Sequence, residues 1–223
     1  MDRRRGPKRM STSSAPRPIR TGRIRRSNET LILIAAEQEF AQRGFDGASI
    51  GRIANSAGVA RANVHYYFKS RENLYLRVLD DIVDRWNQSF PENSSLDEPY
   101  AIIKQYIAAK LEFSRHNPAA SKIFAGEILR GAPLMGSRLE GIYSDWLQSK
   151  VGVLRSWMQE GKMDSLDPYH VIFMIWSSTQ HYADFDFQVK TALKIQEYSE
   201  DDFEKISETL THIILKGCGL TPQ

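Results

Sequence analysis

Apolar residues recur along the chain at the three- and four-residue spacings of amphipathic helices, and no segment shows the two-residue alternation of a surface strand. The most informative unit is residues 49–71, SIGRIANSAGVARANVHYYFKSR. Its first half places four apolar residues on one helical face: Ile50, Ile53, Ala54 and Ala57. Gly58 follows, where a left-handed turn would end the helix, and Val59 resumes the apolar register.

A second short helix is predicted after Val59. Its inner face can be formed only by Ala62, Val64 and Phe68. Five side chains then project outward or sideways: Arg61, Asn63, His65, Tyr66 and Tyr67. Arg and Asn can pair with guanine and adenine edges, and Tyr can hold phosphates. The unit therefore predicts a helix-turn-helix whose second helix enters a major groove, with an ordinary solvated helical corner as the alternative.

Longer helices are predicted on both sides of this unit. The first starts at a cap provided by Ser27 or Asn28 and ends before Gly44, which acts as a C-terminal stop. The second starts at its cap, Ser70, and runs to residue 90. Beyond a linker at 91–99, helices are predicted at 100–116, 118–130, 137–160, 170–187 and 201–216. The pattern predicts an all-α fold with a three-helix domain at 27–75 and a helical body at 76–223.

Composition agrees with a packed protein of the cytoplasm. The 223 residues are 41% apolar, and there is one cysteine, which suits a reducing compartment. The longest apolar run is far too short to span a bilayer, and the basic N-terminus lacks the apolar stretch of a secretory signal. We therefore expect a cytoplasmic protein, associated with the nucleoid through DNA, and no membrane partner.

Charge is distributed unevenly along the chain. The net charge is +3, yet residues 1–26 hold ten Lys or Arg against one Asp, while residues 27–75 are balanced and the acidity lies beyond them. Residues 1–26 contain almost no apolar side chains, so we expect a disordered basic arm. The arm could lie along the minor groove or the phosphates, or it could be a solubilising tail.

Residues 29–76 resemble the N-terminal DNA-binding domain of the TetR family of bacterial repressors. The match covers nearly the whole signature, IAAEQEFAQRGFDGASIGRIANSAGVARANVHYYFKSRENLY. Two positions depart from the common pattern: Ala60 stands where a capping Ser is usual, and His65 stands where an aromatic residue is commoner. Loss of such a cap costs about 1 kcal/mol.

The body resembles the pyrimidine-utilisation repressor subfamily, whose effectors are uracil and thymine. The similarity rests on Trp86, on KLEFSRHNPAASKIFAGEILRGAP and on DPYHVIFMIWSSTQHYADF. It implies an all-helical ligand-binding and dimerisation domain, and a homodimer that binds palindromic double-stranded operator DNA. On matching positions, the family resemblance implies that Arg61, Ala62 and Asn63 face base edges. The residues that it places along phosphates are Ser49, His65, Tyr66, Tyr67, Lys69 and Arg71.

A candidate effector pocket is predicted around residues 171–182, VIFMIWSSTQHY, which are apolar on every face for two turns and then polar. A helix of this kind must be buried on all sides, so one side can meet a dimer mate while another lines a cavity. Gln180 offers a donor and an acceptor, the complement of a pyrimidine edge. The predicted ligand-binding residues are Trp86, Phe124, Phe173, Trp176, Ser177 and Gln180. Alternatively, the aromatic rings are simply core and the hydroxyls bond the preceding turn.

Other chemistry is not favoured. Residues 47–51 fit the G-x-S-x-G pattern, but a helix end precedes them instead of the strand that a hydrolase nucleophile needs. The five histidines are dispersed, so neither a metal site nor a cofactor is predicted, and no enzyme. We expect a repressor that a pyrimidine-like molecule releases from its operator. The alternatives are a TetR-like regulator of another catabolic or efflux pathway with an unrelated effector, and a non-specific DNA binder that uses the arm alone.

Overall fold

The computed structural model describes residues 19–88, 90, 98–139, 141 and 144–222, with side chains from residue 27 onwards. All regular secondary structure in these ranges is helical, as predicted. The helices are α1 (Ile19–Gly47), α2 (Ile50–Ser56), α3 (Arg61–Phe68), α4 (Arg71–Asn87), α5 (Pro99–His116), α6 (Pro118–Leu129), α7 (Gly136–Arg138), α8 (Ser144–Gln159), α9 (Pro168–Asp184), α10 (Asp186–Leu193) and α11 (Glu200–Gly217).

Helices α1 to α3 and the N-terminal part of α4 form the N-terminal head around a shared apolar core. Ile53 of α2 and Val64 and Phe68 of α3 are buried, as the apolar spacing predicts, whereas Ala62 is exposed and does not belong to the inner face. Ser70 caps α4 by accepting a hydrogen bond from the Asn73 amide at 3.1 Å. The local pattern therefore defines the head almost completely.

The first helix differs from its prediction at both ends. It begins by Ile19, not at Ser27 or Asn28, because a run rich in arginine favours helix and tolerates polar residues inside it. Residues 19–26 of the expected basic arm are thus helical, and residues 1–18 lie outside the described residues. Gly44 interrupts the helix with φ 67° and ψ −179°, so the predicted stop is a kink followed by one more turn.

The helices of the body follow the prediction except at α10. The helix expected at 137–160 corresponds to α7 and α8, and residues 140, 142 and 143 between them lie outside the described residues. Helix α10 was not predicted as a separate element: the helix expected at 170–187 ends at Asp184, and Phe185 separates it from α10. Because α10 buries none of its residues, it has no apolar stripe that a sequence pattern could reveal.

Helix α6 connects the two parts of the molecule. Three of its residues, Ala120, Ile123 and Phe124, join the apolar cluster of the head. A second cluster, formed by α5, α8, α9 and α11, fills the body around the fully buried Trp157 and Ile172. Helix α4 runs from the head to the body, since Trp86 at its C-terminal end packs on Phe124.

Candidate DNA-reading helix and effector cavity

The turn between α2 and α3 has the geometry of a helix-turn-helix. Gly58 adopts φ 65°, and the Val59 amide donates to the Ala54 carbonyl at 3.0 Å, so the chain reverses within a few residues. Ala60 takes the N-cap position of α3 in extended conformation, and its side chain makes no cap hydrogen bond. The start of α3 therefore lacks a side-chain cap, and the Asn63 amide donates to the Ala60 carbonyl at 2.9 Å instead.

Most of the predicted DNA-binding side chains lie on one accessible surface of α3. Arg61, Ala62, His65, Tyr66 and Lys69 are exposed. The exposure of Ala62 removes it from the predicted inner face and leaves it accessible from the same side as Arg61.

The two tyrosines of α3 differ in burial. Asn63 and Tyr67 are half-buried. Tyr67 packs against the core of the head and meets Tyr66 edge-on at 5.3 Å between ring centroids, and the Lys69 ammonium lies 5.5 Å from the Tyr66 ring centroid. These contacts fix the outer edge of the helix.

Ser49 stands at the N-cap position of α2, but its hydroxyl makes no cap hydrogen bond. Its backbone N–H donates to Glu39 Oε1 at 3.0 Å, and Arg52 Nε donates to the same oxygen at 2.7 Å. Hydrogen bonding to Arg52 holds the pKa of Glu39 below its usual value, although burial acts in the opposite direction. Glu39 therefore ties the start of α2 to α1.

Arg71 also has a role inside the head. Its Nη1 donates to the Asp46 carbonyl at 3.1 Å and to the Ala48 carbonyl at 3.2 Å, and its guanidinium lies 4.5 Å from the Phe45 ring centroid. The side chain holds the end of α1 against α4, and more than a third of it remains exposed. Sequence reasoning did not find this packing role because the partners are more than twenty residues away.

The body contains a narrow cavity between α4, α5, α6, α8 and α9. Four of the predicted ligand-binding residues line it together: Trp86, Phe124, Trp176 and Gln180. The other lining residues are Val83, Asn87, Tyr106, Lys110 and Trp146. The cavity volume is about 40 Å³. An organic ligand would therefore have to displace side chains of the wall.

The walls of the cavity are aromatic. Trp86 meets Phe124 edge-on with ring centroids 4.5 Å apart, and Trp146 lies 6.0 Å from Trp176. Trp176 Nε1 donates to the Tyr106 hydroxyl at 2.6 Å, which fixes the orientation of both side chains. The rings contact one another directly, so they close the cavity from several sides.

One charged residue lies among these rings. Lys110 is only 3% exposed, and its Nζ lies 4.3 Å from the Trp86 ring centroid. Burial lowers the pKa of Lys110 to about 7, although the negative charge of Asp184 acts in the opposite direction. Burial likewise raises the pKa of Asp184, which accepts a hydrogen bond from Ser121. Lys110 interrupts an otherwise apolar stripe of α5, and that break was a sequence signal for the site.

Two predicted ligand-binding residues lie elsewhere. Phe173 does not line the cavity; it is 43% exposed and contacts Tyr169, His170 and Trp176. Ser177 is exposed and donates to the Met174 carbonyl. Both side chains point away from the cavity because only the opposite side of α9 packs against α5 and α8.

The neighbouring hydroxyls also bond the preceding turn. Ser178 donates to the Met174 carbonyl at 2.7 Å, and Thr179 donates to the Ile175 carbonyl at 2.7 Å. Together with Ser177 they follow the alternative stated from the sequence, in which the hydroxyls bond the preceding turn.

A buried polar cluster joins the head to the body. Glu127 of α6 is completely buried; Oε2 accepts from the Tyr75 hydroxyl at 3.2 Å and from Arg130 at 3.1 Å. Oε1 accepts from the amides of Leu134 and Met135 at 2.8 and 3.2 Å. Burial, together with the charge of Glu127, raises the pKa of Tyr75 to about 12. The cluster fixes α4 of the head to α6 and to the turn that follows it.

The described ranges contain neither a candidate metal site nor a candidate membrane-spanning helix. No group of three or more His, Cys, Asp or Glu side chains there is placed to hold a metal ion. None of the described helices is both long and apolar enough to cross a bilayer. An accessible helix after a tight turn, joined to a helical body with an aromatic cavity, defines a helix-turn-helix regulator with a ligand-binding domain.

Comparison with known proteins specifies the family. The sequence model for bacterial regulatory proteins of the tetR family matches residues 32–78, and the model for the C-terminal region of YcdC-like proteins matches residues 79–221. The chain belongs to the TetR family of bacterial regulatory proteins. It is a ligand-responsive transcriptional repressor and not an enzyme, as the sequence predicted.

Individual relatives agree with this assignment. The chain is 42% identical over 186 residues to the HTH-type transcriptional regulator RutR of Escherichia coli K12, covering 83% of this chain and 88% of the relative. It is 25% identical over 219 residues to the HTH-type transcriptional regulator EthR of Mycolicibacterium smegmatis, covering 93% and 95%.

Solved structures share the fold. The ketosteroid transcriptional regulator KstR2 of Mycobacterium tuberculosis has a TM-score of 0.64 at 21% identity, covering 87% of this chain and 95% of that chain. The transcriptional regulator SCO4942 of Streptomyces coelicolor has a TM-score of 0.68 at 21% identity, covering 87% and 99%. The all-α architecture with its N-terminal helix-turn-helix is thereby confirmed.

Proposed function

We propose that this chain works as a homodimer in the cytoplasm, binds a palindromic operator through α3, and releases it when a pyrimidine such as uracil enters the body cavity. The observation that carries the proposal is the placement of Gln180 and Lys110 in a slot walled by Trp86, Phe124 and Trp176. An amide that both donates and accepts, between flat aromatic faces, is complementary to a planar cyclic imide. The 42% identity to the regulator RutR supports a pyrimidine as the ligand of this chain.

The DNA contacts follow from the accessible surface of α3. Arg61, Ala62 and Asn63 occupy its first turn, which is the part of a recognition helix that reaches base edges in the major groove. The remaining predicted contacts face the phosphates: Ser49, His65, Tyr66, Tyr67, Lys69 and Arg71. Arg71 retains exposed surface beside its carbonyl partners, so it can serve packing and phosphate binding together.

An exposed apolar surface supports the homodimer. Phe173 and Met174 of α9, Phe185 at the following turn, and Phe187 and Leu193 of α10 are 43% to 82% exposed. Exposed large apolar side chains are candidates for an interaction site, and those of α9 do not line the cavity. A partner copy seated there would bring a second head to the other half of a palindrome.

Release follows from the narrowness of the cavity. A planar ligand requires the aromatic side chains to move apart, and Trp86 belongs to α4, whose other end joins the head at Arg71. The ligand would favour a body shape in which α4, and with it the spacing of the two heads, differs from the operator-bound shape. The shift is limited by the difference in ligand affinity between the two shapes.

Gln180→Ala tests the proposed effector site. The variant should bind operator DNA like the wild type, because Gln180 is remote from α3, but it should no longer respond to uracil. Ser177→Ala is a matched control, since Ser177 lies one turn away and is exposed. Fluorescence anisotropy of labelled operator DNA measures both properties. Release of DNA from Gln180→Ala at the wild-type uracil concentration would exclude Gln180 as the ligand reader.

A further inference from the structure

Lys110 is a buried cation for which the described residues provide no ion-pair or hydrogen-bond partner. It is 97% buried, lines the cavity, and contacts the Trp86 ring face. Among the residues that the structure describes, none accepts a hydrogen bond from Nζ or forms an ion pair with it. Asp184 acts on Lys110 only through its charge and is hydrogen-bonded by Ser121. A buried ammonium without an acceptor is unfavourable, so a function is required to explain it.

Trp86 adds a second donor in the same place. Its indole N–H is buried and finds no acceptor within the described part of the chain. An indole nitrogen can only donate, and a lysine ammonium likewise has three donors and no acceptor. The end of the cavity between α4 and α5 thus has donors in excess, while Gln180 across the cavity has one donor group and one acceptor.

On the basis of the proposed function, we propose that Lys110 determines effector specificity by donating to an exocyclic oxygen of the ligand. The ligand class is a planar heterocycle that presents a carbonyl oxygen, neutral or partly anionic, to the donors of Lys110 and Trp86. Cyclic imides such as uracil meet this requirement at two positions. An analogue with an amino group in that position, such as cytosine, places donor against donor and leaves the ammonium unpaired.

The magnitude of this selection follows from the burial of the donors. A site built to hydrogen-bond one polar group rejects analogues that lack it, because the buried partner is then left unpaired. A hydrogen bond from a charged donor contributes roughly 1.5 to 3 kcal/mol, which corresponds to about 10- to 150-fold in affinity. We therefore expect uracil to bind at least about tenfold more tightly than cytosine.

The test is isothermal titration calorimetry of the full-length protein with uracil and with cytosine. Lys110→Met keeps the length of the side chain and removes the donors, so uracil affinity should fall at least about tenfold and the preference over cytosine should approach one. Lys104→Met, exposed on the same helix, is the matched control and should bind both ligands like the wild type. Lys110→Gln restores a neutral donor and should recover part of the preference.

The outcomes separate this inference from the proposed function. Operator binding by Lys110→Met, measured by anisotropy, shows that the variant is folded. The role of Lys110 would be wrong if Lys110→Met bound uracil as tightly as the wild type does, or if it lost affinity for uracil and cytosine equally. The proposed function would still stand in that case, provided that uracil released the wild-type protein from its operator. If the wild type bound neither uracil nor thymine, the proposed function and the role of Lys110 would both be wrong.

Discussion

Removal of the Glu127 carboxylate should destabilise the whole molecule. In Glu127→Ala the buried Tyr75 hydroxyl and the amides of Leu134 and Met135 lose their acceptor, whereas the half-exposed Arg130 can turn to water. Breaking a buried charged cluster by removing one partner costs about 3 to 5 kcal/mol. For a chain of this length, 1 kcal/mol shifts Tm by roughly 2 to 4 °C. We expect Tm to fall by about 6 to 20 °C.

Two further variants give this prediction its controls. Glu127→Gln keeps one acceptor oxygen and the shape of the side chain, so its loss should be about 1 to 2 kcal/mol. Glu208→Ala removes an exposed carboxylate from α11 and should change stability by no more than about 0.5 kcal/mol. Differential scanning calorimetry of the three variants and the wild type at one protein concentration measures the order. A Tm for Glu127→Ala within about 2 °C of the wild type would refute the assignment of Glu127 as the link between head and body.

Three other substitutions test separate parts of the account. Asn63→Ala should weaken operator binding by about 1 to 3 kcal/mol and leave binding to scrambled DNA unchanged in anisotropy titrations, and equal weakening of both would contradict base reading. Ser70→Ala removes the cap of α4 and should cost about 1 kcal/mol in denaturant unfolding; an unchanged midpoint would argue against the cap. Burial lowers the pKa of Lys110 from 10.5 to about 7 in the folded protein. Between these pH values the unfolded chain therefore binds more protons at Lys110 than the folded chain does. The free energy of unfolding of the wild type, relative to that of Lys110→Met, should rise with pH in this range. A stability difference between the two proteins that does not change with pH would contradict the lowered pKa of Lys110.

The head could be predicted from sequence because its determinants are local. The spacing of Ile53, Val64 and Phe68 gives the buried face, and Gly58 supplies the positive φ that the turn requires. Both signals lie within twenty residues, so no knowledge of distant packing is needed. The same locality explains why Ser70 was correctly predicted as a helix cap.

The sequence could not show which residues of α9 face the cavity and which are exposed to solvent. Its first two turns are apolar all round, so periodicity does not distinguish Trp176, which lines the cavity, from Phe173, which is exposed. The choice depends on which side α5 and α8 cover, and that is a property of the tertiary fold. Trp86 lies on the inner apolar stripe of α4, so its burial could be predicted from periodicity.

Helix α10 and Lys110 show two other limits. Helix α10 is joined to α6 by the ion pair of Asp186 with Lys122, and such a contact leaves no apolar period in the sequence. Lys110 is visible as a break in the apolar stripe of α5, but its lack of a partner depends on residues far away in the chain. A sequence pattern can therefore show that a residue is unusual at its position, but only the tertiary structure shows which residues surround it.

The central claim is that ligand binding in the body changes DNA binding by the head. The most direct measurement is fluorescence anisotropy of the full-length protein on an operator fragment, selected from genomic DNA by the protein itself, with and without saturating uracil. Coupling between two sites is typically 1 to 3 kcal/mol, so the account predicts that uracil raises the operator Kd by about 5- to 150-fold. An operator Kd that does not change in saturating uracil would contradict it.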